Sequence, residues 1–229
     1  MKSDADFKAK IISNTLEGLE LDINGKQVWF RLIGAFNAYN LLGVLGTAVL
    51  LGEDEDEVMT SLSAIKGAKG RFDQISIAGI TAIVDYAHTP DALENVLKTI
   101  NGVRGGGEQL ITVVGCGGNR DTTKRPVMAK IAVQESDKVI LTSDNPRFEE
   151  PEAILKDMQA GIGPTDLRKT LTITDRREAI RTACMLSKSG DIILIAGKGH
   201  EDYQEIQGVK HHFDDKEVVS EILNELKQN

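Results

Sequence analysis

The chain is poor in cysteine: only Cys116 and Cys184 occur in 229 residues, far apart and in no C-x-x-C pair, so neither a disulfide framework nor a zinc site is expected. That usage fits a reducing compartment. No apolar run approaches the roughly 20 residues that span a bilayer, and the opening Met-Lys-Ser-Asp-Ala-Asp carries no apolar leader core. A soluble, cytoplasmic protein with no membrane partner is expected. Basic residues are not in surplus, since the formal net charge is −8, and this argues against a broad nucleic-acid footprint. Any phosphate or carboxylate ligand must then meet a local cluster of positive charge. Internal repeats and low-complexity tracts are also missing. Most informative is the missing phosphate loop: G-x-x-x-x-G-K-S/T occurs nowhere, and no glycine cluster falls in the G-x-G-x-x-G register.

What is present suffices for one large or two small domains. Leu19, Leu21 and Ile23 alternate before Asn24-Gly25 and Val28, Phe30 and Leu32 after it, which predicts an antiparallel hairpin within residues 14–33. A helix over 38–51, capped by Asn37 or Asn40, is apolar all round, which implies burial on most faces. Acidic residues 53–57 open a second helix that Gly67-Ala-Lys-Gly70 ends. Composition changes there, and a domain boundary is placed near Gly70, with 1–70 and 71–229 on either side. Beyond it, strands at 80–86, 109–114, 138–143, 171–174 and 191–196 alternate with helices at 91–100, 126–135, 151–160, 176–186 and 216–227. This rhythm predicts an α/β fold: a doubly wound, mostly parallel sheet with helices on both faces, which binds ligands where its strands end.

Four of the loops at those strand ends carry chemistry. Asp144-Asn145-Pro146-Arg147 places an acid, an amide and a guanidinium on a turn stiffened by proline. Either it is a plain Asn-Pro turn with a surface arginine, or Arg147 grips a carboxylate while Asp144 and the Asn145 carbonyl oxygen accept from an ammonium, so that the turn holds an amino acid. In Asp85-Tyr-Ala-His88-Thr-Pro-Asp91, Asp85 can bond a ribose hydroxyl and His88 a phosphate or base edge, or His88 is a structural histidine and Thr89 or Asp91 a helix cap. Gly115-Cys-Gly-Gly-Asn-Arg120-Asp121, followed by Lys124-Arg125-Pro126, reads as an anion-binding loop at a helix start, or as glycines that only permit a tight turn. Gly197-Lys-Gly-His-Glu201-Asp202 contains a phosphate-loop-like Gly-Lys-Gly without the required spacing.

Together with Gly34-Ala-Phe-Asn37-Ala-Tyr-Asn40 and Gly70-Arg71-Phe-Asp73, and in this order along nearly the whole chain, these motifs resemble the Mur ligases, in particular the members that add meso-diaminopimelate. Those ligases have an N-terminal domain for the UDP end of the substrate, a central ATPase domain, and a C-terminal Rossmann-like domain that brings the amino acid. The resemblance implies that residues 1–70 are the tail of the central domain and 71–229 the whole C-terminal one. It implies that Met1 begins a shortened form, without the phosphate loop, the acidic magnesium ligands and the carbamylated lysine. It further implies ATP and Mg2+ as cofactors of the full-length enzyme, UDP-N-acetylmuramoyl dipeptide and meso-diaminopimelate as substrates, an acyl-phosphate route, and a monomer. By the same resemblance Arg120, Asn145, Arg147, Gly197 and Glu201, with Asp144 and Pro146, contact meso-diaminopimelate, and Asn37, Arg71, Asp85 and His88 approach the nucleotide. No catalytic residue and no metal ligand is assigned within the chain, which is expected to be inactive alone. Lysine lacks the second carboxylate, and an Arg147 left buried without a partner costs about 1–3 kcal/mol, which disfavours it. The other readings are a non-catalytic amino-acid-binding module, or a related ligase acting on L-lysine or of the folylpolyglutamate type.

Overall fold

Five-residue runs without a polar charge, Leu110–Val114 (β6) and Ile192–Ala196 (β9), are buried at every position, as strands covered on both faces must be. In the computed structural model, which describes residues 6–228, they are neighbours at the middle of a six-stranded sheet. The leader-free reading of the first residues falls partly on residues 1–5, which lie outside the described ones. The other strands of this sheet are Asp73–Ile77 (β4), Ile80–Asp85 (β5), Lys138–Leu141 (β7) and Thr170–Thr172 (β8), in the order β4-β5-β9-β6-β7-β8. All neighbours pair in parallel except β4, which runs antiparallel to β5 at the edge.

Helices cover both faces. Arg176–Leu186 (α6) and Asp215–Gln228 (α7) bury Ala179, Ile180, Ala183, Val219 and Ile222 against Ala82, Val84, Val113, Ile193 and Ile195. Lys124–Glu135 (α4) lies against β6 and β7 from the other side, with Pro151–Gln159 (α5) packed on it. Pro90–Val103 (α3) follows β5. The expected α/β, mostly parallel sheet with helices on both faces is therefore present. Two hairpin elements escaped the sequence reading: β4 itself, and the pair Tyr203–Ile206 (β10) and Val209–His212 (β11).

The chain forms two compact units, one running to Gly67 and taking in Thr99–Arg104, the other comprising Ala68–Lys98 and the described residues from Gly105 onward. In the first, the predicted hairpin is Leu19–Ile23 (β2) with Lys26–Phe30 (β3), and a third strand, Ala9–Asn14 (β1), pairs with β2. Leu19, Leu21, Ile23 and Phe30 pack on Ala38, Leu41 and Leu45 of Ala35–Leu50 (α1) and on Met59 and Leu62 of Glu55–Ala64 (α2). The expected burial of α1 on most faces is not found: Tyr39, Val44 and Leu50 are exposed, since this unit covers only the side bearing Ala38, Leu41 and Leu45. Neither Asn37 nor Asn40 caps α1. The helix begins at Ala35, and Asn37 Nδ2 donates back to the Ile33 carbonyl at 2.8 Å while its Oδ1 accepts from Asn40. Among the described residues no helix is long and apolar enough to cross a membrane.

Candidate functional site

The order β5-β9-β6-β7 sets the loops after those strands side by side along one sheet edge. The turn after β7 is held from several directions. Arg147 has φ 54°, a left-handed conformation uncommon for a long side chain. What sustains it is pairing with the β10–β11 hairpin, since Arg147 N donates to Glu205 O at 3.0 Å and Gln207 N to Arg147 O at 2.7 Å. Gln204 Nε2 donates to the Asp144 carbonyl at 2.7 Å. Asn145, only 2% exposed, joins three segments, for its Nδ2 donates to Glu201 Oε2 at 2.8 Å and its Oδ1 accepts from Glu205 N at 2.8 Å. The Asn145 side-chain oxygen expected to receive a ligand ammonium is thus already engaged. Asp144 Oδ2 and Glu201 Oε1, by contrast, carry no hydrogen bond among the described residues, and these two acids offer the acceptors.

Two glycines allow this convergence. A Cβ on Gly118 would stand 1.9 Å from the Pro146 carbonyl oxygen, and Gly118 N donates to Asn145 O at 2.9 Å, so the loop after β6 lies directly on the turn after β7. Gly197, at φ 118°, would put a Cβ 2.6 Å from Asp144 Oδ2. Its part is to make room for the acid. Around Gly117, whose Cβ position is 2.8 Å from Arg147 Nη1 and 3.9 Å from Arg120 Cγ, the two arginines come together. Arg120 is exposed. Arg147 is 19% exposed, its Nη1 donates to Gly118 O at 2.8 Å, and its Nε is 3.5 Å from Glu205 Oε2. The expectation of an arginine left unpartnered by a lysine ligand is corrected here, because the chain itself supplies partners.

Beneath the site lie buried charges: the Arg176–Asp215 pair went unread in the sequence, while Arg125 and Lys198, read there as anion-binding and phosphate-loop-like, are turned inward instead. Lys198 is fully buried and donates to the Tyr203 carbonyl, with Glu201 Oε2 at 3.7 Å, so its Gly-Lys-Gly setting makes an internal strut rather than a phosphate finger. Burial pushes its pKa down, against the pull of Asp144. Arg176 and Asp215, both fully buried, form a two-pronged pair at 2.8 Å, and the same guanidinium donates to Ser143 O at 3.3 Å and Ala196 O at 3.1 Å. It therefore ties together the ends of β7 and β9. Arg125 does the same for the glycine loop, binding Glu149 and Asp157 while Glu149 accepts from Asn119 N. A signal existed for Arg176 and Arg125, each at a helix start, but no spacing rule tells an inward arginine from a solvated one.

The residues assigned to the nucleotide divide. Arg71 is exposed, with its guanidinium 5.1 Å from the Tyr86 ring, and that ring lies 4.5 Å from the ring of His88 and 5.0 Å from that of His200. His88 is exposed, its Nδ1 is 2.8 Å from Tyr86 O, and Lys124 Nζ donates to its carbonyl at 2.7 Å. Arg71, His88 and Lys124 thus border an aromatic surface suited to a base and an anion. Asp85 departs from its expected role: it is 7% exposed and its Oδ2 accepts from Phe72 N at 2.7 Å, which makes it a strut. Burial raises its pKa, partly offset by that N–H. Asn37 lies in the other unit, with the helix-start bonds described above. Among the described residues no group of three or more His, Cys, Asp or Glu side chains is arranged to hold a metal.

Residues 70–199 match the family described as "Mur ligase, glutamate ligase domain". The chain is 63% identical over 223 residues to UDP-N-acetylmuramoyl-L-alanyl-D-glutamate--2,6-diaminopimelate ligase of Cytophaga hutchinsonii, covering 97% of this chain and 46% of that one. The same ligase of Bacteroides thetaiotaomicron is 60% identical over 225 residues, covering 98% and 47%. A solved structure of a ligase with this name superposes with TM-score 0.76 at 40% identity, over 100% of this chain and 47% of its own. Folylpolyglutamate synthase of Thermotoga maritima, at 21% identity and TM-score 0.68 over 85% of this chain and 44% of its own, shares the fold. The chain spans about half the length of the relatives it matches.

Proposed function

The chain belongs to the Mur ligase family, and from that premise we propose that it is the amino-acid-receiving part of the ligase that joins meso-diaminopimelate to UDP-N-acetylmuramoyl-L-alanyl-D-glutamate. One observation carries the reading: two arginines, Arg120 and Arg147, and two acids, Asp144 and Glu201, meet on loops locked to one another at one sheet edge. A molecule with carboxylates and ammonium groups at both ends matches that charge pattern. Asn145, Pro146 and Gly197 shape the turn and the space beside it, and Lys198 sets Glu201 from below. In this reading residues 1–70 are the tail of an ATP-binding domain and 71–229 the amino-acid domain, working as a cytoplasmic monomer.

ATP supplies the phosphoryl group that activates the substrate carboxylate when it is bound. On this chain Arg71, Tyr86 and His88 fit the adenosine side, through aromatic ring faces and the Arg71 guanidinium. Asp85 is buried with its Oδ2 bound by Phe72 N, which makes it a strut rather than a ribose contact in this reading, and Asn37 serves the start of α1. For Mg2+ the described residues offer no group of three or more His, Cys, Asp or Glu side chains arranged to hold it. What this chain does is bind and orient. Positioning of the amine against an activated carboxylate is itself worth several orders of magnitude in rate.

Titration calorimetry on the 229-residue chain tests the reading. Meso-diaminopimelate is expected to bind, and Arg147→Ala to weaken it by about 10- to 100-fold, the worth of a charge-assisted bond. L-lysine binding should be little changed by that substitution. Equal affinity of the wild-type chain for both amino acids would sink the meso-diaminopimelate specificity, and binding of neither would sink the amino-acid reading.

A further inference from the structure

Arg147 meets the site with an acid already beside it. Its Nε lies 3.5 Å from Glu205 Oε2 and its Nη1 donates to the Gly118 carbonyl at 2.8 Å. A carboxylate gripped by two parallel bonds needs an adjacent pair of N–H groups, either Nε with Nη2 or Nη1 with Nη2. Glu205 faces the Nε of the first pair, and one of the two Nη1 hydrogens of the second goes to the Gly118 carbonyl. The Gly118 carbonyl cannot yield cheaply, because Gly118 N is bonded to Asn145 O and the residue is pressed against the Pro146 carbonyl. Glu205 can yield by turning its own side chain, which is 23% exposed. The Nε–Nη2 edge therefore opens to a ligand once Glu205 releases it.

We propose that Glu205 is a specificity-determining residue: its carboxylate competes with the distal carboxylate of the incoming amino acid for Arg147. This rests on the amino-acid reading of the site. Two effects follow from one side chain. A ligand with a second carboxylate binds less tightly than Arg147 alone would allow, since the internal pair must first open. A ligand without one, such as L-lysine, leaves Arg147 still matched by Glu205 and so escapes the penalty of an unpaired charge. Glu205 thereby narrows the preference between the two from both sides.

The geometry offers a clean test, because the bonds from Glu205 to Asn145 and Arg147 are made by its backbone N and O. Substituting the side chain removes the carboxylate and spares the clamp. Calorimetry with meso-diaminopimelate and L-lysine is run on the wild-type chain, on Glu205→Gln and Glu205→Ala, and on Glu205→Gln combined with Arg147→Ala. Hydrogen exchange at the Glu205 amide checks that the hairpin stays docked. Both single variants are expected to bind meso-diaminopimelate about two- to fivefold more tightly, the range of a partly exposed ion pair. L-lysine should gain nothing, and the effect should vanish without Arg147. Unchanged or weaker meso-diaminopimelate binding in Glu205→Gln and Glu205→Ala, with the wild type binding, overturns this inference and leaves the amino-acid reading standing. No binding by the wild type overturns both.

Discussion

Replacing Asn145 by alanine tests the claim that one side chain fastens the site's loops together. The substitution removes the bond to Glu201 Oε2 and the bond from Glu205 N, both 2.8 Å long, at a position 2% exposed where water has little access. A hydrogen bond to a charged acceptor contributes about 1.5–3 kcal/mol and a neutral one about 0.5–1.5 kcal/mol. Glu201 is 19% exposed and recovers part of its loss from solvent, so the expected cost is about 2–3 kcal/mol. Urea unfolding followed by far-ultraviolet circular dichroism reads the total. Native-state hydrogen exchange reads the place, with the Glu205 amide exchanging at least about tenfold faster in the variant. Asn145→Asp is the companion. It keeps an oxygen for Glu205 N and sets a second carboxylate against Glu201, so the two acids share a proton and one pKa rises. The folded state then holds more protons than the unfolded one, and the variant's stability falls as pH rises above the ordinary carboxylate range. A loss under about 1 kcal/mol in Asn145→Ala, less than one such charged bond, with the Glu205 amide still protected, would refute the reasoning.

Gly197→Ala should lower the melting temperature by the equivalent of about 1–3 kcal/mol, because a Cβ at φ 118° meets Asp144 Oδ2 at 2.6 Å; an unshifted melt would show that Asp144 moves aside freely. Gly43→Ala, inside α1 with nothing within 4 Å of the new Cβ, should instead stabilise by about 0.5–1 kcal/mol, and a destabilised variant would contradict the open surface seen there. Burial pushes both cysteine thiols up to about 12, so neither Cys116 nor Cys184 should react with a thiol reagent near pH 8 until the chain unfolds. Rapid labelling of the native chain would contradict their burial. Asp85 has its pKa raised by burial, so its folded form holds a proton more readily than its unfolded form, and its contribution to stability falls as pH rises from the ordinary value of 3.8 through the raised one. Asp85→Asn should remove that slope, and identical pH profiles for the two chains would count against it.

Three hairpins show where reading the sequence ends. Asn24-Gly25, Ala78-Gly79 and Gln207-Gly208 all turn with positive φ at both residues, at 52° and 88°, 54° and 79°, and 50° and 76°. Only the first was legible, because asparagine favours that conformation by itself, whereas alanine and glutamine adopt it when the paired strands require it. Overlooking the last of these turns meant overlooking β10 and β11, and with them Gln204 and Glu205, whose contacts hold Asp144, Asn145 and Arg147 in place.

The sequence by itself determined the alternating α/β order, the parallel strands covered on both faces, and the loops that carry the arginines and acids, because these follow from apolar period and from residue chemistry along the chain. Only the tertiary structure decided which polar groups stay available. Asn145 and Asp85 are taken up by neighbours, Lys198 and Arg176 turn inward, and Arg147 arrives beside Glu205. Those outcomes depend on contacts between segments up to 60 residues apart, as between Asn145 and Glu205, and a buried polar group pairs with whatever the fold brings within 3 Å or so.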